Sequence, residues 1–287
     1  MTRSSITNAL TIDVEDYFQV SAFAAHIPRP HWNQCECRVE KNIDTILDML
    51  ALRGIKATFF TLGWIAERYP QAIRDIVAQG HELASHGYDH ERASEQTEAA
   101  FFADVQLAKI VLEDLAGCVV NGYRAPSFSI GTANQWAFDC LARAGYRYSS
   151  SVYPIRHDHY GTPDAPRFAF EVRPGLLEIP LTTCRAFNRN LPSSGGGFFR
   201  LLPYAVSRWM LNQVNLGDGQ SGVFYFHPWE LDAGQPRIAG ITRKTHFRHY
   251  VNIHRMPARL HQLLGDFKWA RMDQVFLPQL SRQSLPS

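Results

Sequence analysis

The chain has 287 residues, 45% hydrophobic and 20% charged, a balance that can bury a sizeable core and lies far from the polar, highly charged signature of disorder. Its 29 Lys and Arg nearly match 27 Asp and Glu, for a formal charge of +2, so no global field points to nucleic acid or anionic lipid. No stretch approaches the roughly 20 apolar residues of a membrane helix, and carboxylates interrupt the N-terminus (MTRSSITNALTIDVEDYF) before a signal-peptide core forms. The expectation is a soluble, cytoplasmic protein without a transmembrane segment. Five cysteines, Cys35, Cys37, Cys118, Cys140 and Cys184, lack paired spacing and fit a reducing compartment. The C-x-C of Cys35 and Cys37 reads as ordinary thiols, because a metal there needs distant partners.

In chain order, Ala9 to Asp13 is a buried strand ending in a carboxylate. Asn42 to Arg53 repeats apolar residues at helical spacing and stops at Gly54. Ile55 to Thr61 is a strand, Pro70 to Gln79 a helix and His81 to Ser85 a strand. Glu95 to Leu115 is helical, Tyr123 to Ser127 extended, Thr132 to Ala144 helical and Tyr146 to Val152 extended. The aperiodic stretch from Tyr153 to Arg173 reads as a long ordered loop. Leu176 to Leu181 is a strand, Ser193 to Gly197 (SSGGG) a flexible loop, Pro203 to Leu216 a helix, Gly222 to Phe226 a buried strand and Pro257 to Leu264 a helix. Repeated β then α units predict an α/β barrel or layered parallel sheet in one domain. The His- and Arg-rich segment from about 237 (RIAGITRKTHFRHYVNIHRM) is either a substrate-facing cap or a solvated basic surface, the latter slightly ahead.

Four motifs carry chemistry. In Ser85-His86-Gly87-Tyr88-Asp89-His90, histidines four apart converge on one cation if the turn is helical. Asp13-Val14-Glu15-Asp16 ends the first strand, where α/β folds gather reactive groups; one carboxylate there can complete a metal site and another can accept a proton from water. Arg124 in Arg124-Ala125-Pro126-Ser127 can hold a catalytic carboxylate by paired hydrogen bonds. In Phe224-Tyr225-Phe226-His227-Pro228-Trp229 an apolar strand delivers a His at its end, as a general acid requires, with Trp229 beside the site or against a sugar face. Taken singly, each has a bland alternative: an acidic turn, a solvated His pair, a surface Arg, a structural His.

Together, and in this order from Leu10 to about Trp229, they resemble the polysaccharide deacetylase family (NodB-like, carbohydrate esterase 4). The resemblance implies a distorted (β/α) barrel and metal-dependent removal of acetyl groups from N-acetylated sugars. By position it implies Asp13 as catalytic base, His86 and His90 as metal ligands, Arg124 as the arginine orienting the base and His227 as general acid. Asp16 or Glu15 is the metal carboxylate: Asp16 keeps the residue type and is weakly preferred, while Glu15 matches the D-x-D variant of some relatives without a gap. Pro126, Tyr153 and Trp229 are the expected substrate contacts, and zinc the expected divalent metal. TIDVEDYFQV, RAPSFS, YRYSSSVYP, DAPRF and FHPWELDAGQPRI resemble the branch associated with exopolysaccharide and PEP-CTERM/exosortase systems; Tyr146 to Pro154 departs from the Asp-containing form common elsewhere in the family. Two rival readings are a metal-independent, allantoinase-like amide hydrolase and a non-catalytic glycan-binding module using Trp229, Tyr153, Tyr160 and the SSGGG loop.

Overall fold

The computed structural model describes residues 6–157 and 161–283; Tyr160 lies outside them. β1 (Thr7–Val14) is buried along nearly its whole length and leads to α1 (Val39–Ala51), whose Ile43, Ile46, Leu47 and Leu50 form the predicted apolar stripe. β2 (Thr58–Thr61), α2 (Gly63–Arg68), α3 (Pro70–Ala78), β3 (Glu82–Ser85), α4 (Glu98–Ala116), β4 (Gly122–Tyr123), α5 (Trp136–Arg143) and β5 (Tyr148–Ser149) continue the alternation. β6 (Phe170–Arg173), β7 (Leu176–Glu178), β8 (Thr183–Ala186), β9 (Arg189–Pro192), α6 (Gly196–Leu201), α7 (Tyr204–Asn212) and β10 (Val223–Phe226) follow. The chain then runs through α8 (Arg243–Tyr250), α9 (Met256–Asp266), β11 (Lys268–Ala270) and α10 (Met272–Gln283).

The main sheet has the order β10-β1-β2-β3-β4-β5-β7-β6, with β11 added to β1. Its pairings are parallel except β6 with β7. Parallel strands buried on both faces read as continuous apolar runs, which is why the strands around Ile12, Phe60 and Phe224 were visible in the sequence. Among the described residues the outer edge of β10 has no strand partner, and at its first residue a side chain stands in: Val223 N–H donates to Thr182 Oγ1 (2.5 Å). This is the expected distorted barrel, with the segment after β7 lying along its seam.

Two local expectations need correction, and one element is unexpected. The loop from Tyr153 to Arg173 ends in a strand, β6, held by its antiparallel pairing with β7. Thr183 to Pro192 forms a hairpin whose turn residues Phe187 and Asn188 both have positive φ, 52° and 55°; Asn tolerates that region but Phe does not advertise it, so no turn signal was legible. The SSGGG segment is not a mobile loop: Ser194 is buried and Gly196 opens α6, where a Cβ would collide with the Glu230 carboxylate. The glycine is there for close approach.

Candidate active site

Parallel strands expose their last peptide groups and side chains at one end of the barrel, so residues just past β1, β3, β4 and β10 meet there. Asp13 is the next-to-last residue of β1, and Glu15 follows a tight turn in which its N–H donates to the Asp13 carbonyl at 3.0 Å, which brings both carboxylates to this end of the barrel. Asp16, one residue on, turns away. It caps the next turn, accepting from Tyr17 N–H at 2.8 Å, and also accepts from the backbone N–H groups of Arg38 and Val39 at 2.6 and 2.9 Å and from Cys37 Sγ at 3.1 Å. The preference for Asp16 as metal carboxylate is thus corrected: its oxygens tie the N-terminus of α1 to the end of β1, where a carboxylate suits the helix dipole.

Glu15 takes the place beside the histidines. Ligand-capable atoms of Glu15, His86 and His90 lie within 4.8 Å of one another. The His pair is gathered by a tight loop and not by a helical turn: Gly87 has φ 77° and His90 φ 58°, and a Cβ on Gly87 would press on Asp104 Oδ2. His86 Nδ1 sits 2.8 Å from the Arg124 carbonyl. A carbonyl only accepts, so Nδ1 carries the proton and Nε2 keeps a lone pair, the arrangement that orients a metal-ligating imidazole. Burial pushes the His86 pKa down to about 4, so the ring is neutral. His90 Nε2 approaches Glu15 Oε2 at 2.7 Å, and no donor among the described residues other than this ring reaches that buried oxygen. Two imidazole nitrogens and one under-satisfied carboxylate oxygen are the donor set of a divalent cation with room for further ligands, so these residues fit the expected metal.

Asp13 is held from the other side. Arg124 Nη1 donates to Asp13 Oδ1 at 2.5 Å and to Thr11 Oγ1 at 2.8 Å, while its Nε and Nη2 donate to Ser150 O and Oγ at 3.2 and 3.1 Å. The guanidinium is wholly buried and lies over the Phe60 ring, 4.0 Å from its centroid. Every contact fixes its plane, and the pairing with Asp13 offsets the cost of burying the guanidinium.

His227 follows β10. Its Nδ1 meets Glu230 Oε1 at 2.8 Å and its Nε2 lies 3.3 Å from Glu15 Oε1. Burial alone would lower its pKa, but the carboxylates of Glu15 and Glu230 outweigh that and push it up to about 9. Glu230 is fastened in turn by Arg200 Nε at 2.7 Å, and Arg200, itself buried, donates to the His249 and Val251 carbonyls. Burial would raise the Glu230 pKa; Arg200 and His227 hold it down at about 2. The His227 side chain keeps 20% exposure against 3% for Glu15, so the site opens toward this imidazole.

The structure therefore brings Asp13, Glu15, His86, His90, Arg124 and His227 together. The three expected substrate contacts are placed differently. Trp229 is 5% exposed, stacked against His227 (5.1 Å between centroids) and His249 (4.1 Å), with Nε1 donating to Glu15 Oε1; it is a wall of the site and not an open sugar platform. Tyr153 is fully buried and donates its hydroxyl to the Ser194 carbonyl. Pro126 is buried at the start of a 3-10 turn. Glu230, Arg200, His249 and Ser150 went unnoticed in the sequence; only Glu230, three residues after His227, left a local signal there.

Residues 32–149 match the family model described as polysaccharide deacetylase, and residues 150–277 match a domain of unknown function, DUF3473. A peptidoglycan-N-acetylglucosamine deacetylase of Bacillus cereus is 33% identical over 81 residues, 28% of this chain and 30% of that protein. A chitooligosaccharide deacetylase of Bradyrhizobium is 36% identical over 139 residues, 47% of this chain and 61% of that protein. The chain thus spans less than two thirds of the length of these relatives. A crystal structure from Mycobacterium smegmatis, described as a candidate polysaccharide deacetylase, covers 99% of this chain and 93% of its own, with a TM-score of 0.62 at 24% identity, and shows the shared fold. Residues 32–149 are thus similar to the polysaccharide deacetylase family, and the relatives matched are named as deacetylases.

Proposed function

We propose that this protein is a metal-dependent N-deacetylase that hydrolyses acetamido groups of an N-acetylated glycan, or of its precursor, in exopolysaccharide biosynthesis, with zinc as the metal. The observation that carries the reading is the under-satisfied Glu15 oxygen facing His86 and His90, flanked by Asp13 on Arg124 and by His227 on Glu230. The cation would polarise the acetamide carbonyl and acidify water beside it. Asp13 accepts a proton from the attacking water while Arg124 fixes the orientation of its carboxylate. His227, protonated at Nε2 and held through Nδ1, gives a proton to the departing nitrogen as the C–N bond breaks. The products balance as acetate and a free amine. The buried position of Trp229 weakens the non-catalytic glycan-binding reading, which needs an open aromatic face. Five free cysteines support a reducing compartment such as the cytoplasm. The main sheet runs across the boundary at residue 149, which supports reading 1–287 as one catalytic domain.

The test is metal content after identical dialysis and zinc reloading, followed by acetate release from chitooligosaccharides. About one zinc per chain is expected in the parent, with almost none in His86→Ala/His90→Ala. Asp13→Asn should keep the zinc and lose turnover by about 100-fold to 10,000-fold. Equal, negligible zinc in parent and double variant would redirect the search to a metal-independent amide hydrolase.

A further inference from the structure

The basic segment singled out in the sequence is not used by the chemistry above, and its placement gives it a role. From Ala233 to Gly265 there are six Lys and Arg and four His with no Asp or Glu, which leaves the rest of the chain with 23 basic against 27 acidic residues. The near-neutral total therefore hides a one-signed region in an otherwise acidic protein. The middle of this region is α8. Its inner residues His249 and Tyr250 are buried, while Arg243, Lys244, His246, Phe247 and Arg248 are exposed. Helical spacing sets Phe247 beside Arg243 and Lys244, four and three residues earlier, so an aromatic ring exposed to 55% lies among cationic groups.

This helix is also coupled to the site. His249 stacks on Trp229, which stacks on His227, and Arg200 links the Glu230 carboxylate to the His249 and Val251 carbonyls. The outer face of α8 is thus one packed layer away from the proposed general acid. An aromatic face suits the C–H-rich side of a sugar ring, and the guanidinium and ammonium groups around it suit carboxylates.

We infer that the exposed face of α8 binds an anionic, carboxylate-bearing stretch of the same glycan whose acetamido group enters the site, so that the substrate is an acidic polysaccharide and not a neutral one. This rests on the deacetylase reading and narrows its substrate class. A polyanion strand held on α8 would gain affinity by counterion release and lose it with added salt.

The experiment measures binding of the full-length, zinc-loaded protein to polygalacturonate by calorimetry at 50 and 500 mM NaCl, beside dextran as a neutral glycan and vesicles containing phosphatidylglycerol. The parent is expected to bind polygalacturonate at low salt, to weaken at least tenfold at high salt and to ignore dextran. Arg243→Gln/Lys244→Gln/Arg248→Gln should weaken binding by tenfold or more, and Arg243→Gln/Lys244→Gln, which leaves Arg248 in place, by a smaller factor at an unchanged melting temperature. Phe247→Ala should weaken it severalfold at both salt concentrations. Absence of polygalacturonate binding, equal binding by the double variant, or tighter binding to the vesicles than to the glycan would overturn the inference, the last in favour of a lipid surface. Binding is read without turnover, so the two readings fail separately. Acetate release without polyuronate binding sinks the inference alone, whereas polyuronate binding without acetate release from any acetylated glycan sinks the deacetylase reading beneath it.

Discussion

Two buried carboxylate networks sit at opposite ends of the same barrel and behave in opposite ways. At the carboxyl ends of the strands, Glu15 lies among His90, His227 and His86, and although burial would raise its pKa, these neighbours hold it below the ordinary carboxylate range. At the amino end, Glu82 accepts from Thr58 Oγ1 (2.5 Å), Tyr148 Oη (2.9 Å) and Asp273 N–H (3.1 Å). Burial, with Asp273 nearby adding to it, pushes Glu82 up to about 7 in spite of those donors. Both residues are almost fully buried. The partners decide the charge state: neutral donors do not offset desolvation, whereas histidines beside a carboxylate do. One end is organised to keep a charge ready for chemistry, and the other to fasten α10 to β2, β3 and β5.

The sharpest way to break this contrast is to exchange charge for an amide at each end. Glu15→Gln should abolish zinc retention and with it turnover, while Asp16→Asn, one residue away, should keep the zinc and lower stability by about 1–3 kcal/mol, because buried N–H groups lose a charged acceptor. Equilibrium dialysis with chemical denaturation reads both; zinc lost from Asp16→Asn and retained in Glu15→Gln would reverse the assignment. A middle-sized effect is expected at Glu230→Gln. His227 loses the anionic partner that fixes its tautomer, so kcat should fall about tenfold, equivalent to ~1.4 kcal/mol of barrier, with KM and zinc content unchanged. The smallest effect belongs to the far end. Glu82 binds its proton in the folded chain up to about pH 7 but only up to its ordinary value of 4.5 when unfolded, so stability is greatest below that lower value and falls as pH rises between the two, by at most ~1.4 kcal/mol per pH unit. Glu82→Gln should flatten this slope in urea melts recorded from pH 4.5 to 7.5 while leaving zinc binding intact.

The same contrast explains what was legible in the sequence. Strand ends carrying Asp13, His86, Arg124 and His227 could be read because a buried parallel strand is a continuous apolar run and its last residue stands out against it. Glu15 against Asp16 could not be settled by residue type; the tight turn after Asp13 and the backbone N–H groups of Arg38 and Val39 that engage Asp16 decide it, and the latter come from more than 20 residues away. Arg200 and His249 were invisible because they reach Glu230 and Trp229 across 30 and 20 residues of chain, through packing that has no periodicity. Trp229 looked like a sugar platform because its motif reveals its neighbours in sequence and not the His249 ring that covers it. The amino-end network around Glu82 had no signal either, since Thr58, Tyr148 and Asp273 come from three distant segments.

β1 has a consequence for how the molecule is made. It pairs with β2 soon after it in the chain, but its other neighbours, β10 and β11, arrive last, and Thr11 Oγ1 bonds to a carbonyl 213 residues away. Contacts of such long range require a costly chain closure before they reward it. During synthesis the strand that carries Asp13 and leads into Glu15 must therefore wait, half-paired, until segments more than 200 residues later have emerged: β11 then closes its amino end and β10 the stretch that runs up to Asp13.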